Sequence, residues 1–285
     1  MVRLDRLVAI CILMGIAYGV VGQNMQSFVV ADSSFVERSI KQFENVDSVS
    51  LIDVASLFVG VPYLAGTLEH EEGERLVVNT RQVDCTTFVE QVVALWRTLQ
   101  YPQPSFALFV DELRLMRYRS GKVDGYLSRL HYFTDWVTEN AKRGVWRELA
   151  PADADRHLWS NYRLALSFMS RNPGNYPVLK KEDMGRLREI EGRYDGLGVN
   201  YIDKSYLHLS PDELPVCDGD ILSMVTSIDG LDVTHLGFAV WRDGKLHLLH
   251  ASMTHNCVVL DERTLYDYLK NRTSCPGVRV LRVWK

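Results

Sequence analysis

Apolar residues recur at helical spacing at Phe88, Val89, Val92, Val93, Leu95, Trp96 and Leu99, which predicts a helix that opens at Cys85 and ends before Pro102 and Pro104. Weaker helical patterns lie near residues 34–44 and 50–59, from Phe106 to Tyr118, and from Phe133 to Lys142. Beyond residue 215 the pattern becomes extended. Asp220 to Ser227, Thr234 to Trp241, Lys245 to Ser252, Val258 to Leu260 and Gly277 to Val283 read as strands, with a short helix from Asp261 to Lys270. Strands joined by tight turns imply an antiparallel sheet. An early helix carrying a cysteine, followed by such a sheet, gives an α+β fold. Residues 105–215 read as helical and irregular, and the glycines and prolines over 172–200 predict long loops. Loops of that length in one domain are usually functional, so this region is expected to be a helical and loop insertion shaping a substrate cleft.

The first residues have a different character. Arg3 and Arg6 precede an uncharged apolar stretch from Leu7 to Gly22 with small residues at Ala17, Gly19 and Gly22. That is the pattern of a secretory signal peptide over 1–22. The stretch is short for a bilayer span, which sets cleavage above an uncleaved anchor. A single domain over 23–285, exported and periplasmic without a stable membrane anchor, is the expectation. Cys11 lies inside the apolar run rather than after it, which argues against a lipoprotein. The net charge of -4 gives no broad basic surface for nucleic acid. Outside the signal segment the cysteines are Cys85, Cys217, Cys257 and Cys275. No Cys-x-x-Cys pair occurs, so a zinc site of that pattern is unsupported. One bridge among the last three cysteines and free buried thiols both stay open.

Cys85 is the candidate for chemistry. Asp84 before it is a good N-cap, because its carboxylate can accept a hydrogen bond from a first-turn amide. A cysteine there feels the positive end of the helix dipole, which is expected to favour the nucleophilic thiolate. Asp243-Gly244 is a strong two-residue hairpin signal. The register it implies pairs Arg242 with Lys245, Trp241 with Leu246, Ala239 with Leu248, Gly237 with His250 and His235 with Ser252. His235 and His250 then share a face as diagonal neighbours, about 7–8 Å apart at the backbone. Gly237 leaves room for the His250 imidazole to lean toward His235. A thiol amidase needs an imidazole to take the thiol proton and a polar group to fix that imidazole. A cysteine in a helix is ordinarily a small buried hydrophobe, and a histidine in an apolar strand is ordinarily a core residue. His247, on the other face, reads as core. From spacing alone the catalytic and structural readings of Cys85, His235 and His250 both stand.

The segments Pro62-Tyr63, Gly66-Thr67, Asp84-Cys85-Thr86-Thr87-Phe88-Val89, Gly219-Asp220-Ile221, His235-Leu236-Gly237-Phe238-Ala239-Val240 and His250-Ala251-Ser252 resemble, in this order, the NlpC-type cell-wall cysteine amidases. The Gly-Thr-Leu-Glu after Tyr63, the Asp-Cys-Thr-Thr variant and Ser128-Arg129-Leu130-His131-Tyr132-Phe133-Thr134-Asp135-Trp136 are similar to the N-acetylmuramoyl-L-alanine amidase-like branch. Thr86-Thr87 stands where the wider superfamily has Ser-Gly, so the usual γ-D-glutamyl–diaminopimelate target is not assumed. The resemblance implies a papain-like core, its cysteine-bearing helix packed on the antiparallel sheet, with no cofactor. It implies a muropeptide or peptidoglycan-fragment substrate, cut between the lactyl group of N-acetylmuramic acid and L-alanine, in particular in 1,6-anhydro-muropeptides. By position it implies Cys85 as nucleophile, His235 as base, His250 as orienting residue and Tyr63 as an oxyanion aid beside the Cys85 amide. Asp84 belongs to the same site, and Arg129, His131, Tyr132, Asp135 and Trp136 are candidate substrate contacts. Alternatively the aromatics are core and Arg129 pairs with Asp135. Rival functions are a stem-peptide endopeptidase, a transferase to an acceptor other than water, and a non-catalytic cell-wall binding module.

Overall fold

A computed structural model describes residues 28–30, 33–69 and 73–284. The expected signal segment, 1–22, lies outside the described residues, as does Cys11. In chain order the elements are β1 (Phe28–Val30), α1 (Ser33–Phe43), α2 (Leu51–Ser56), β2 (Leu76–Val78), α3 (Cys85–Thr98), α4 (Phe106–Arg117) and α5 (Phe133–Lys142). Then follow β3 (Trp146–Glu148), β4 (Trp159–Arg163), α6 (Phe168–Arg171), α7 (Met184–Gly192), β5 (Gly198–Asp203) and β6 (Ile221–Val225). The chain closes with β7 (Val233–Arg242), β8 (Lys245–Ser252), β9 (Cys257–Leu260), α8 (Leu265–Leu269) and β10 (Gly277–Val283). Among the described residues β1 and β2 form a parallel pair, and the main sheet has eight strands in the order β4-β5-β10-β6-β7-β8-β9, with β3 also on β10. Every pairing in that sheet is antiparallel.

The fold is thus a mixed helix-and-sheet arrangement built on an antiparallel sheet, and the periodicity around Cys85 is the reason α3 sits on it. Phe88, Val89, Val92, Val93, Leu95 and Trp96 are all buried. Phe88 meets Phe238 of β7 edge-on, with ring centroids 5.6 Å apart. Burying one such ring contributes about 1.5–3 kcal/mol. On the other side α3 is fixed to α4 by a buried ion pair, Arg117 Nε to Glu90 at 2.7 Å, while Arg117 also donates to the Val77 carbonyl at 2.7 Å. The first turn of α3 is therefore held by packing behind it and by its own cap in front.

Three stretches differ from the sequence expectation. The region 105–215 supplies three strands, β3, β4 and β5, that widen the sheet. β4 reads Trp-Ser-Asn-Tyr-Arg and lies at the sheet edge, where no continuous buried face marks it. Within 172–200, read as loop, α7 is a real helix; it buries Leu187 and Ile190 but includes Gly185 and Gly192, which mask its pattern. Finally α8 starts only at Leu265, because Thr264 caps it by accepting from the Asp267 amide at 3.1 Å. Asp261 is thereby left outside the helix. The four described cysteines are free thiols, and Cys275 alone of them is buried.

Candidate active site

Asp84 and Thr87 form a reciprocal cap at the start of α3. The Thr87 amide donates to Asp84 Oδ1 at 2.8 Å and the Asp84 amide donates to Thr87 Oγ1 at 2.9 Å. The Asp84 side chain is thus occupied in fixing the backbone that presents Cys85. The thiol is closely surrounded by protein. Burial and the neighbouring Asp84 carboxylate push its pKa up to about 12, against the lowering effect of hydrogen bonds from Leu236 and Thr86. The helix start therefore does not make a resting thiolate, contrary to the sequence expectation: loss of solvent outweighs the half-charge of the dipole.

From Phe238 to the turn, the hairpin register is the one Asp243-Gly244 implies. Arg242 pairs with Lys245, Trp241 with Leu246 and Ala239 with Leu248. Asp243 and Gly244 both have positive φ, 51° and 70°. Farther along, a Cβ on Gly237 would come within 2.8 Å of His250 Cβ, so the missing side chain is what admits that histidine. His235 Nε2 meets His250 Nδ1 at 2.6 Å with the rings nearly perpendicular. Burial keeps both imidazoles neutral: His235 is lowered to about 3 by burial, His250 and Arg272, and His250 to about 4 by burial, with Asp261 opposing. His255 and Arg263 also lower His250. The ring of Tyr268 packs 5.5 Å from that of His250 and 6.5 Å from that of His235. His247, on the opposite face, bonds the Asp261 carbonyl at 3.0 Å and is a structural core residue.

Cys85 and His235 face one cleft of about 110 Å³, whose wall includes Leu130, His131, Phe133, Trp136 and Asp232. A larger cavity of about 580 Å³ lies elsewhere, beside Asp155, His157, Tyr206 and His208. It contains no cysteine and no part of the histidine pair. Among the described residues no cluster of three or more His, Cys, Asp or Glu side chains is placed to hold a metal ion.

The remaining candidates separate into two groups. Tyr63 lies near the thiol: its phenol pKa is raised by burial, then by Cys85 and Asp84, so the hydroxyl keeps its proton. His131 and Trp136 line the cleft, and the buried Trp136 indole N–H has no partner. Arg129, Tyr132 and Asp135 are held in internal contacts instead. Arg129 pairs with Glu69 at 2.7 Å and lies 3.4 Å from Glu74. Tyr132 donates to Glu191 at 2.7 Å and accepts from the Met169 amide at 2.8 Å. Asp135 pairs with Arg119, not with Arg129, and accepts from Tyr194 at 2.7 Å. The pairing of Arg129 with Asp135 is therefore replaced by two separate pairs that brace the cleft wall.

The amidase-like family model, described as N-acetylmuramoyl-L-alanine amidase-like, matches residues 53–278, which spans α3, the cleft and the histidine hairpin. The chain belongs to the N-acetylmuramoyl-L-alanine amidase-like family. The chain is also similar to the crystal structure of an N-acetylmuramoyl-L-alanine amidase from Bacteroides uniformis: 37% identity, 83% of this chain and 99% of that one, TM-score 0.76. A Bacteroides fragilis structure provisionally described as a xylanase is 39% identical over 81% of this chain and 99% of that one, with TM-score 0.74. A Legionella pneumophila protein at 22% identity and TM-score 0.63, covering 89% of this chain and 97% of that one, shares the fold. No curated protein matches the chain.

In this amidase-like chain, two residues of the site escaped the sequence reading. Asp261 is 2% exposed and its Oδ2 lies 3.6 Å from His250 Nε2. Tyr268 covers the histidine pair. Both fall in the segment read as one continuous helix. The signal that would have found Asp261 is the pairing of β9 with β8, His250 against Val259, which carries the next residues back beside the hairpin.

Proposed function

We propose that the protein is a cysteine amidase with a papain-like, NlpC-type core that hydrolyses the bond between the lactyl group of N-acetylmuramic acid and L-alanine. The observation that carries the chemistry is the meeting of Cys85 and His235 in one cleft, with His235 held by His250. The bond is the one named for the family and for the Bacteroides uniformis relative. The 1,6-anhydro-muropeptide preference rests on the sequence resemblance, and export to the periplasm on the 1–22 segment.

The resting pair is a neutral thiol and a neutral imidazole. As Cys85 Sγ bonds the lactyl carbonyl carbon, its proton passes to the Nδ1 of His235, whose Nε2 is engaged by His250, and the carbonyl π pair moves to oxygen. The Cys85 amide, one of the helix-start N–H groups without an intrahelical acceptor, and the Tyr63 phenol donate to that oxyanion. The C–N bond then breaks, and His235 gives its proton to the departing L-alanine amine. Water, deprotonated by His235, attacks the thioester and releases the lactyl carboxylate and the thiol. A cleft of about 110 Å³ is smaller than the roughly 300–1,000 Å³ that encloses a drug-sized ligand, so the amide enters and the sugar and peptide lie across its mouth.

A glycosidase reading of the kind attached to the Bacteroides fragilis relative needs two carboxyl groups flanking the scissile bond. The cleft wall holds one acidic residue, Asp232, and its two oxygens accept from the amides of Thr134 and Val233 at 2.6 and 3.0 Å. Thiol alkylation and EDTA test the mechanism directly. A cysteine amidase loses activity to the alkylator and keeps it in EDTA; the reverse pattern removes the proposal.

A further inference from the structure

His250 has a second ring nitrogen to account for. Its Nε2 is buried without a hydrogen-bond partner, and the carboxylate of Asp261 stands 3.6 Å away. That separation is longer than a hydrogen bond and short enough to become one with a small ring movement, as catalytic contacts do when a complex closes. Asp261 itself is firmly placed. Arg263 donates to it from its backbone amide at 2.9 Å, from Nε at 3.0 Å and from Nη2 at 2.7 Å, and the Asp261 amide donates to the Leu248 carbonyl at 2.9 Å. A buried carboxylate held by three hydrogen bonds from Arg263 presents a defined acceptor to His250.

We infer that Asp261 is a positioning residue that sets the tautomers of two imidazoles in series. The carboxylate accepts the His250 Nε2 proton, which leaves His250 Nδ1 as an acceptor. His235 then donates to it through Nε2, and His235 Nδ1 carries the lone pair that takes the Cys85 proton. The inference rests on the proposed thiol mechanism, and extends the line of polar groups by one residue beyond the two histidines. The groups facing this line are Cys85 from α3, His255 from the turn after β8, Arg263 beside Asp261, and Tyr268 and Arg272 from α8 and its end.

Asp261→Asn tests the acceptor. Arg263 Nε and the Arg263 amide address Oδ1 and Arg263 Nη2 addresses Oδ2, so the single amide oxygen is expected to keep the first two donors, give up the third and turn the NH₂ toward His250. An NH₂ there donates to His250 Nε2, reverses both tautomers and leaves a proton on His235 Nδ1. Nitrogen-15 NMR of the imidazoles reads this without any substrate. The expected result is Nε2–H at both His235 and His250 in the wild type and Nδ1–H at both in D261N, with a native melting curve. The hydrolysis rate of D261N is expected to fall by at least about 10²-fold, and D261E, which keeps the acceptor, to recover part of it. Unchanged tautomers in D261N, or Nδ1–H at His250 in the wild type, would overturn the inference. Loss of the amidase reading itself is separable, because Cys85→Ala would then retain hydrolysis whatever the tautomers show.

Discussion

His235 Nε2 and His250 Nδ1 lie 2.6 Å apart across the β7–β8 hairpin, over a glycine whose missing side chain makes room for the contact. A methyl at position 237 would press to 2.7 Å from the Leu249 carbonyl and 2.8 Å from His250 Cβ. Gly237→Ala is therefore expected to cost about 1–3 kcal/mol of stability by overpacking. Its larger effect falls on the reaction: displacing the pair by even about 1 Å is expected to slow hydrolysis by around 10²-fold. Thermal melting and kcat on the same sample separate the two effects.

The protonation states at the site set a second expectation. With the thiol pushed up to about 12, Cys85 is a neutral thiol throughout the neutral range. Alkylation by iodoacetamide is expected to be slow at pH 7 and to rise with each pH unit up to about pH 9. It should show no plateau at acidic pH, such as a preformed thiolate–imidazolium pair would give. Stopped alkylation followed by mass analysis of the Cys85 peptide measures it.

Stability should depend on pH through the buried histidines. His131 and His235 are lowered to about 3 and His250 to about 4, all below the ordinary value of 6.5. The unfolded chain therefore binds more protons than the folded one between those values and 6.5. The stabilisation from keeping these rings neutral is full above about pH 6.5 and is lost as pH falls toward 4 for His250 and toward 3 for His131 and His235. Glu74 and Glu90, held above the ordinary carboxylate range by burial, act in the opposite sense. The histidine part is thus read as a difference: denaturant unfolding between about pH 5 and 7 should show a shallower slope in His131→Gln than in the wild type.

The Glu90–Arg117 pair behind α3 offers a test of what holds Cys85 in place. Both side chains are almost fully buried, and Arg117 bonds Glu90 and the Val77 carbonyl. Arg117→Met leaves the carboxylate without its partner, an expected cost of about 3–5 kcal/mol. Glu90→Gln in the same background removes the stranded charge and should recover part of it. Chemical denaturation of the two variants checks both statements.

Much of this arrangement is legible in the sequence because its signals are local. The apolar period from Phe88 to Leu99, the Asp84 cap and the Asp243-Gly244 turn each dictate structure over a few residues. The last of them fixes which residues face each other across the hairpin. What the sequence conceals depends on distant partners. Nothing near Arg129 or Asp135 marks Glu69 and Arg119 as their respective partners, and the edge strand β4 lacks a buried face to give it away. Asp261 is hidden for a related reason. It precedes a real helix, and only the pairing of β9 with β8 turns it back toward His250. The thiol's pKa likewise escapes a local reading, since the dipole is a property of α3 and the burial is a property of everything around it.

The most direct test is to incubate the wild type and Cys85→Ala with a defined 1,6-anhydro-muropeptide and weigh the products. A cysteine amidase of the proposed specificity releases the intact stem peptide and the free anhydro-sugar acid from the wild type, and nothing from C85A. A shortened stem peptide still joined to the sugar, or the same products from C85A, would contradict it.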